Sequence, residues 1–481
     1  MNVHPDHAAM TRMLDESPMR AIHYRLWALS TGGTLLSGVS MFMLGVALPL
    51  VIPVFHMRAH MIGLIAAMLM AGTVLGALLG GHLADRFGRK PILVLDMALL
   101  TIAAVLSALS TDDTMLLIFE LLVGVGIGMD FPVGSSYVAE FMPQGQRGRM
   151  MAASISTQSA GMLLAAAITL VLLAQTQPNN AIWRWLLASE AILTMPYVVA
   201  RFSLPESVRW CMSRGRNAEA ARVLTLIAPA QAERLRAMGQ GLGAEIHYVA
   251  KVPKKTTQLG IAALFSKVYL RRTALVTLPW FLMDMATYGV GLFTAILLGN
   301  LHPAGGSTNT IGRDLADALA SGKVDLFLLL GSVVALWAVP RFGRIHMQLL
   351  GFAGMMLGMG LAFITTTMHD GATAHAEVIF IGFIIFNLFM SAGPNATTFI
   401  LPTEMYPTQV RAFGAGFAAA IAKIGATLSV FLLPVIQADL GVPIVLILMS
   451  IVSLLGLFFT YIFRVQGRGL TLEEHHIPES P

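Results

Sequence analysis

Apolar runs long enough to cross a bilayer recur along this chain, each closed off by a short polar or basic stretch. Six lie near residues 24–54, 61–84, 91–110, 114–140, 149–175 and 182–203, and six more near 271–299, 324–340, 346–368, 376–401, 409–436 and 441–464. A membrane helix needs about 20 such residues. The pattern therefore predicts an all-α polytopic membrane protein, with twelve transmembrane helices in two six-helix bundles. Residues 204–270 interrupt it with the one long charged segment, which holds Arg209, Arg214, Arg216, Arg222, Arg234, Arg236, Lys251, Lys254, Lys255 and Lys267. Its NAEAARVLTLI and QAERLRAM patterns repeat apolar positions at helical spacing and predict short amphipathic helices. The resulting plan is a tail over 1–23, a bundle over 24–203, a linker over 204–270, a bundle over 271–464 and a tail over 465–481.

Composition agrees: of 481 residues, 56% are hydrophobic and only 12% charged, with a mean hydropathy of +0.73, which is too apolar for a soluble globule. The formal charge of +5 does not point to nucleic acid, because the basic residues sit in short loops. Arg86, Arg89 and Lys90 follow the second run and Arg147 and Arg149 the fourth, whereas the loop after the third reads Thr111, Asp112, Asp113, Thr114. By the positive-inside rule both termini and the linker face the cytoplasm. The first 20 residues hold no apolar core with a small-residue cleavage site, so no cleaved signal peptide is expected in this cell-membrane protein. Cys211 is alone, which excludes an internal disulfide and a thiolate metal cage, and His4, His7, His475 and His476 make no ligand spacing. No cofactor is expected. The 30 methionines suit adaptable packing. Nothing resembles a nucleophile elbow or a phosphate-binding glycine loop, so neither an enzyme nor ATP-driven transport is expected.

Ionisable residues inside the apolar runs carry the functional signal, since each costs roughly 2.5–3.5 kcal/mol at bilayer depth. In WFLMDMATY, Trp280, Asp284 and Tyr288 fall four residues apart, on one helical face. Asp130 lies mid-run beside Pro132, and Lys423 lies in the eleventh run. Asp130 reads either as a proton carrier or as a structural acid paired with a cation across the bundle, and Lys423 either as a substrate ligand or as the resting counter-ion of one of these acids. The two halves also echo each other. Glu140 precedes Arg147 as Glu404 precedes Arg411, and Phe87–Arg89 and Phe342–Arg344 both read FGR in corresponding loops. A duplicated bundle places its site between the halves at mid-membrane.

Residues 80–90, GGHLADRFGRK, resemble the loop signature of the major facilitator superfamily. The resemblance implies a charged latch of Asp85, Arg86 and Arg89 beside a helix end, with Glu140, Arg147, Glu404 and Arg411 in gate contacts at the cytoplasmic ends. Pro340 stands where the second copy of the signature has an acid, so a symmetrical second latch is not implied. PESVRW at 205–210 and GRGLTLEE at 467–474 are similar to the sugar-porter-like branch. Within it, GVGIGMDFPVGSSYVAE, WFLMDMATYG and GPNATTFILPTEMYP resemble the phosphate:proton symporters more closely than the sugar carriers. That likeness puts Trp280, Asp284, Tyr288, Gln158, Asn395 and Lys423 on the family's anion site and Asp130 on a proton site, with Phe131 in place of a tyrosine. Thr287 and Thr294 add donors. The first span, GGTLLSGVSMFMLGVALPLV, has no titratable group where those symporters carry an acid. A monomeric symporter of protons and a small polar anion, phosphate-like, working by alternating access, is the expectation. A proton-linked carrier of a sugar, sugar acid or aromatic carboxylate, and a sensor that binds solute without moving it, are the alternatives.

Overall fold

The computed structural model describes residues 5–57, 59–175, 181–231, 233, 264–267, 269–301, 310–367, 376–406 and 410–465, and these are helical with no strand among them. The first half comprises α1 (Pro5–Asp15), α2 (Ala21–Phe55), α3 (Ala59–Phe87), α4 (Arg89–Ala108), α5 (Asp113–Phe141), α6 (Gln144–Gln175) and α7 (Ile182–Arg201). Two short linker helices follow, α8 (Val208–Ser213) and α9 (Asn217–Ile227). The second half is α10 (Leu270–Leu301), α11 (Thr310–Phe342), α12 (Arg344–Thr366), α13 (Ala376–Ala392), α14 (Pro394–Met405), α15 (Arg411–Leu440) and α16 (Val442–Phe463). The tenth apolar run forms two helices because Gly393 leaves helical geometry (φ −122°, ψ −93°) and Pro394 opens a new first turn. α13 and α14 count as one span, which gives the twelve-helix membrane fold.

Within the first bundle α2 packs on α5, α6 and α7, and α4 on α5 and α7. Within the second, α10 packs on α15 and α16, and α12 on α13 and α16. The bundles meet along α3 against α15 and α6 against α11, which are equivalent pairs under the internal repeat. At the α3–α15 seam the backbones nearly touch. A Cβ added at Gly81 would lie 2.4 Å from the Ala412 carbonyl oxygen, and one at Gly416 would lie 2.3 Å from that of Ala77. Small residues permit such an approach, and it closes this end of the cleft between the bundles.

The repeat is visible in backbone conformation as well as in letters. A single glycine joins α3 to α4 and another joins α11 to α12: Gly88 at φ 109° and Gly343 at φ 90°, both in the region other residues avoid. The tail predicted over 1–23 is more than a tail, because it forms α1, whose Met10 and Leu14 are fully buried. NAEAARVLTLI forms α9 as predicted, whereas GRGLTLEE, and QAERLRAM apart from Gln231 and Glu233, lie outside the described residues.

Candidate functional site

Midway along the second bundle, Asp284 of α10 and Lys423 of α15 form a buried ion pair at 2.9 Å. The Lys423 ammonium also donates to the Tyr288 hydroxyl at 2.8 Å. A hydrogen bond from Ser429 Oγ to the Met285 carbonyl, at 2.6 Å, pins α15 to α10 one to two turns away. Further walls come from the first bundle and from α14. Lys423 Nζ lies 5.3 Å from the centre of the Phe131 ring of α5. Tyr288 OH and Gln158 Nε2 of α6 both point at the Met41 sulfur of α2, at 3.6 and 3.7 Å. Phe131 in turn meets Phe399 of α14 edge to face at 6.3 Å. Asn395, half-buried one turn before Phe399, lies on that same helix. Trp280 is buried within interaction reach of Asp284, but Thr287 turns to its own neighbour, Met283, at 3.2 Å. The Thr294 side chain lies outside the described residues. The pocket thus joins a cation, a phenol and an amide to an aromatic and thioether wall, with groups from both bundles.

Asp130 stands apart from this pocket. It pairs with Arg201 of α7 at 2.6 Å, and the same guanidinium holds Asp96 of α4 at 2.8 Å. Both acids and the arginine are at most 1% exposed. Arg201 spends its remaining donors on the carbonyls of Leu29, Ser30 and Leu93. Of the two readings of Asp130, the arginine pairing is present, though inside one bundle and in the company of a second acid.

At the closed end, Glu140 accepts from Arg89 at 2.9 Å and from Arg411 at 3.0 Å, which ties α5 to α4 and, across the seam, to α15. Asp85 forms an ion pair with Arg89 at 3.0 Å and accepts from the Phe413 backbone N–H at 2.7 Å. It therefore sits on the positive N-terminus of α15, where a carboxylate is favoured. Glu206, from the PESVRW segment, accepts from the backbone N–H groups of Arg89 and Lys90. Burial pushes its carboxyl above the usual range, while these donors and Arg89 pull the other way. Gly88 is irreplaceable here twice over: a Cβ would fall 2.2 Å from the Glu206 carboxylate, at a φ of 109°. The second FGR loop makes half of the equivalent contact, Arg344 with Glu404 at 2.7 Å.

Residues 45–477 match the family described as "Sugar (and other) transporter". The chain belongs to that family. This transporter is similar to the inner membrane metabolite transport protein YgcS of Escherichia coli, at 29% identity over 468 residues and 95% of each chain. It is also similar to the probable inorganic phosphate transporter 1-6 of Arabidopsis thaliana, at 28% over 488 residues, 94% of this chain and 87% of that one. Its fold follows the solved major facilitator superfamily proton:xylose symporter XylE, with a TM-score of 0.77 at 20% identity, covering 94% of this chain and 98% of that one. It is a multi-pass membrane transporter and not an enzyme.

Three of the latch residues of this family member depart from their expected places. Arg86 is exposed and lies over its neighbour Phe87, outside the buried network, because the left-handed turn at Gly88 carries Arg89 inward instead. Arg147 does not pair with the acid of its own motif: Asp15 of α1 takes it, at 2.5 Å, together with Arg209 of α8 at 2.7 Å. Glu404 takes Arg344 in place of Arg411, whose partner is Glu140. Sequence reasoning missed Asp96, Arg201 and Asp15, and reached Glu206 and Arg209 only as members of the PESVRW segment, which the family resemblance puts at a cytoplasmic gate. Asp96 was open to the rule that flagged Asp284, an acid inside an apolar run.

α8 seals this end from outside. The Trp210 indole N–H and Arg214 both donate to the Asp85 carbonyl, at 3.1 and 2.6 Å. Beneath them Cys211 is buried, and burial pushes its thiol from 9 up to about 12. At neutral pH it should therefore react with N-ethylmaleimide roughly a thousandfold more slowly than a free thiol. Mass spectrometry of the intact protein measures this rate, and rapid labelling would mean that α8 is not docked.

Proposed function

We propose that this transporter is a proton-coupled symporter of a small polar anion, phosphate-like in the first instance, working by alternating access in the cell membrane. The observation that carries the reading is the Lys423 ammonium, buried between the bundles and shared by Asp284 and Tyr288. A buried ammonium must be paired, so an entering anion takes the place of Asp284 on Lys423, with Tyr288 and Gln158 as further donors. Placing that anion beside an ionised Asp284 sets two negative charges together. A proton on Asp284 or Asp130 relieves this, and its loss on the other side helps to expel the solute. The bundles rock about the pocket, with Asp85, Arg89, Glu140 and Arg411 as the gate on the cytoplasmic side, where both termini lie.

A second reading has its own observation. Phe131, Phe399 and Met41 make one wall apolar, which suits an organic carboxylate with an aromatic or aliphatic body better than phosphate. Radiolabelled phosphate uptake into proteoliposomes, at inward and zero proton gradients, with benzoate and xylose as competitors, decides between them. Gradient-driven phosphate uptake is the expected result. Uptake that requires no gradient would overturn the coupling, and benzoate binding without any phosphate signal would transfer the site to organic acids.

A further inference from the structure

The first bundle holds more acid than its arginine can balance. Asp96, Asp130 and Arg201 form one cluster, at most 1% exposed, with two carboxyl groups on a single guanidinium. Asp96 Oδ2 and Asp130 Oδ2 are both buried without a hydrogen-bond partner, yet the two acids lie within side-chain hydrogen-bonding reach of each other. Two carboxyl groups within such reach are satisfied by one proton held between them. The same proton removes the net negative charge, which in a buried site otherwise costs several kcal/mol.

Among the described residues packed against the cluster, none supplies that charge. α2 presents the carbonyls of Leu29 and Ser30 to Arg201 and the bare face of Gly33 to Asp130. α3 meets this level of α5 with Gly80 against Met129. On α7, Tyr197 packs on Gly32, and Thr194 bonds Thr101 of α4 at 2.7 Å. Glu190 and Glu120 lie nearly three turns away along α7 and α5, with Ser40 and Ser107 as their neighbours. The Gly33 contact bears on the first span, whose GGTLLSGVSMFMLGVALPLV stretch carries no titratable group. A Cβ there would fall 2.0 Å from the Asp130 carboxyl carbon, so the position opposite Asp130 has no room for an acid. A second carboxyl arrives instead from the third span.

We propose that Asp96 and Asp130, bridged by Arg201, form the proton-binding site of the coupling cycle, with Asp96 as the second member of a carboxyl pair that shares one proton. The proposal rests on the proton-coupled reading above and adds the residue that makes the site. Emptying the pair requires another group to balance it, so proton release is tied to a rearrangement among α4, α5 and α7, the helices of the bundle that moves. Occupancy of the pair therefore biases which way the bundle tilts.

Two measurements test it. Infrared spectroscopy of the purified wild-type protein with ¹³C-labelled aspartate at neutral pH should show an isotope-shifted band of a protonated carboxyl. Asp96→Asn and Asp130→Asn should each lose that band, since either leaves one carboxylate with one guanidinium and no need for a proton. In proteoliposomes both variants, neutral by the same count and so able to fold, should lose gradient-driven accumulation and keep solute counterflow. No aspartate band in the wild type overturns the shared proton even where accumulation is intact. Full accumulation by Asp96→Asn overturns the coupling role. A wild type that shows the band but never accumulates solute overturns the proposed function and the coupling role with it, a result distinct from both.

Discussion

Replacing Asp284 by Asn is expected to abolish net gradient-driven uptake while tightening anion binding by tenfold or more. In the resting protein Asp284 occupies the Lys423 ammonium at 2.9 Å, so an arriving anion must compete with a carboxylate already in place. Asn keeps the size of the side chain but not its charge. Removing one member of a buried pair leaves the other uncompensated at a cost of about 3–5 kcal/mol. A bound anion recovers part of that, and each 1.4 kcal/mol recovered is about tenfold in Kd. The same gain stops the cycle, because the empty carrier has no internal counter-ion for Lys423 and cannot return. Binding by isothermal titration and uptake in proteoliposomes measure the two effects, which have opposite signs. An Asn variant that accumulates solute like wild type would remove Asp284 from the mechanism. Lys423→Ala provides the control, with binding lost and not strengthened.

The architecture was legible because a bilayer accepts few solutions. Helices must be long and apolar to span it, and the FGR and Glu–Arg echoes carry the duplication in the sequence itself. Most of the pocket could be read for a related reason: Asp284 and Lys423 are costly where they stand, and cost of that kind marks use. What escaped was partnership. Glu140 and Arg147 are neighbours in sequence, yet Arg411, 271 residues from Glu140, is the partner that bridges the seam. Asp15 looked like part of a polar tail, and only the docking of α1 shows that it holds Arg147 and Arg209. Arg201 lies near the end of the sixth apolar run, where no pattern singles it out, and the fold turns it inward onto two acids from other helices. Local periodicity carries no information about such tertiary pairings.

Glu140→Gln is expected to open the seam between α3 and α15. Glu140 is fully buried and serves two guanidiniums, Arg89 in its own bundle and Arg411 in the other. Gln can still accept a hydrogen bond, but it cannot balance either charge. The loss of a buried acid costs about 3–5 kcal/mol, and the closed form bears it, since an opened seam lets water reach both arginines. Divided by about 1.4 kcal/mol per decade, that moves the closed-to-open ratio by roughly a hundredfold to a few thousandfold. Spin labels at Phe87→Cys and Phe342→Cys, exposed equivalents in the two FGR loops, report the separation of the bundles when Cys211→Ser removes the native thiol. The short distance of the wild type should give way to a longer one in Glu140→Gln, and an unchanged distribution would rule Glu140 out as the latch. The related pair offers a graded comparison. Arg344 and Glu404 stand in the same relation across the repeat but are partly exposed, and a screened pair is worth only about 0–1 kcal/mol. Glu404→Gln should therefore shift the same distance distribution far less. The asymmetry puts most of the closing free energy on the buried glutamate of the first half, although the two loops share their letters and their turn.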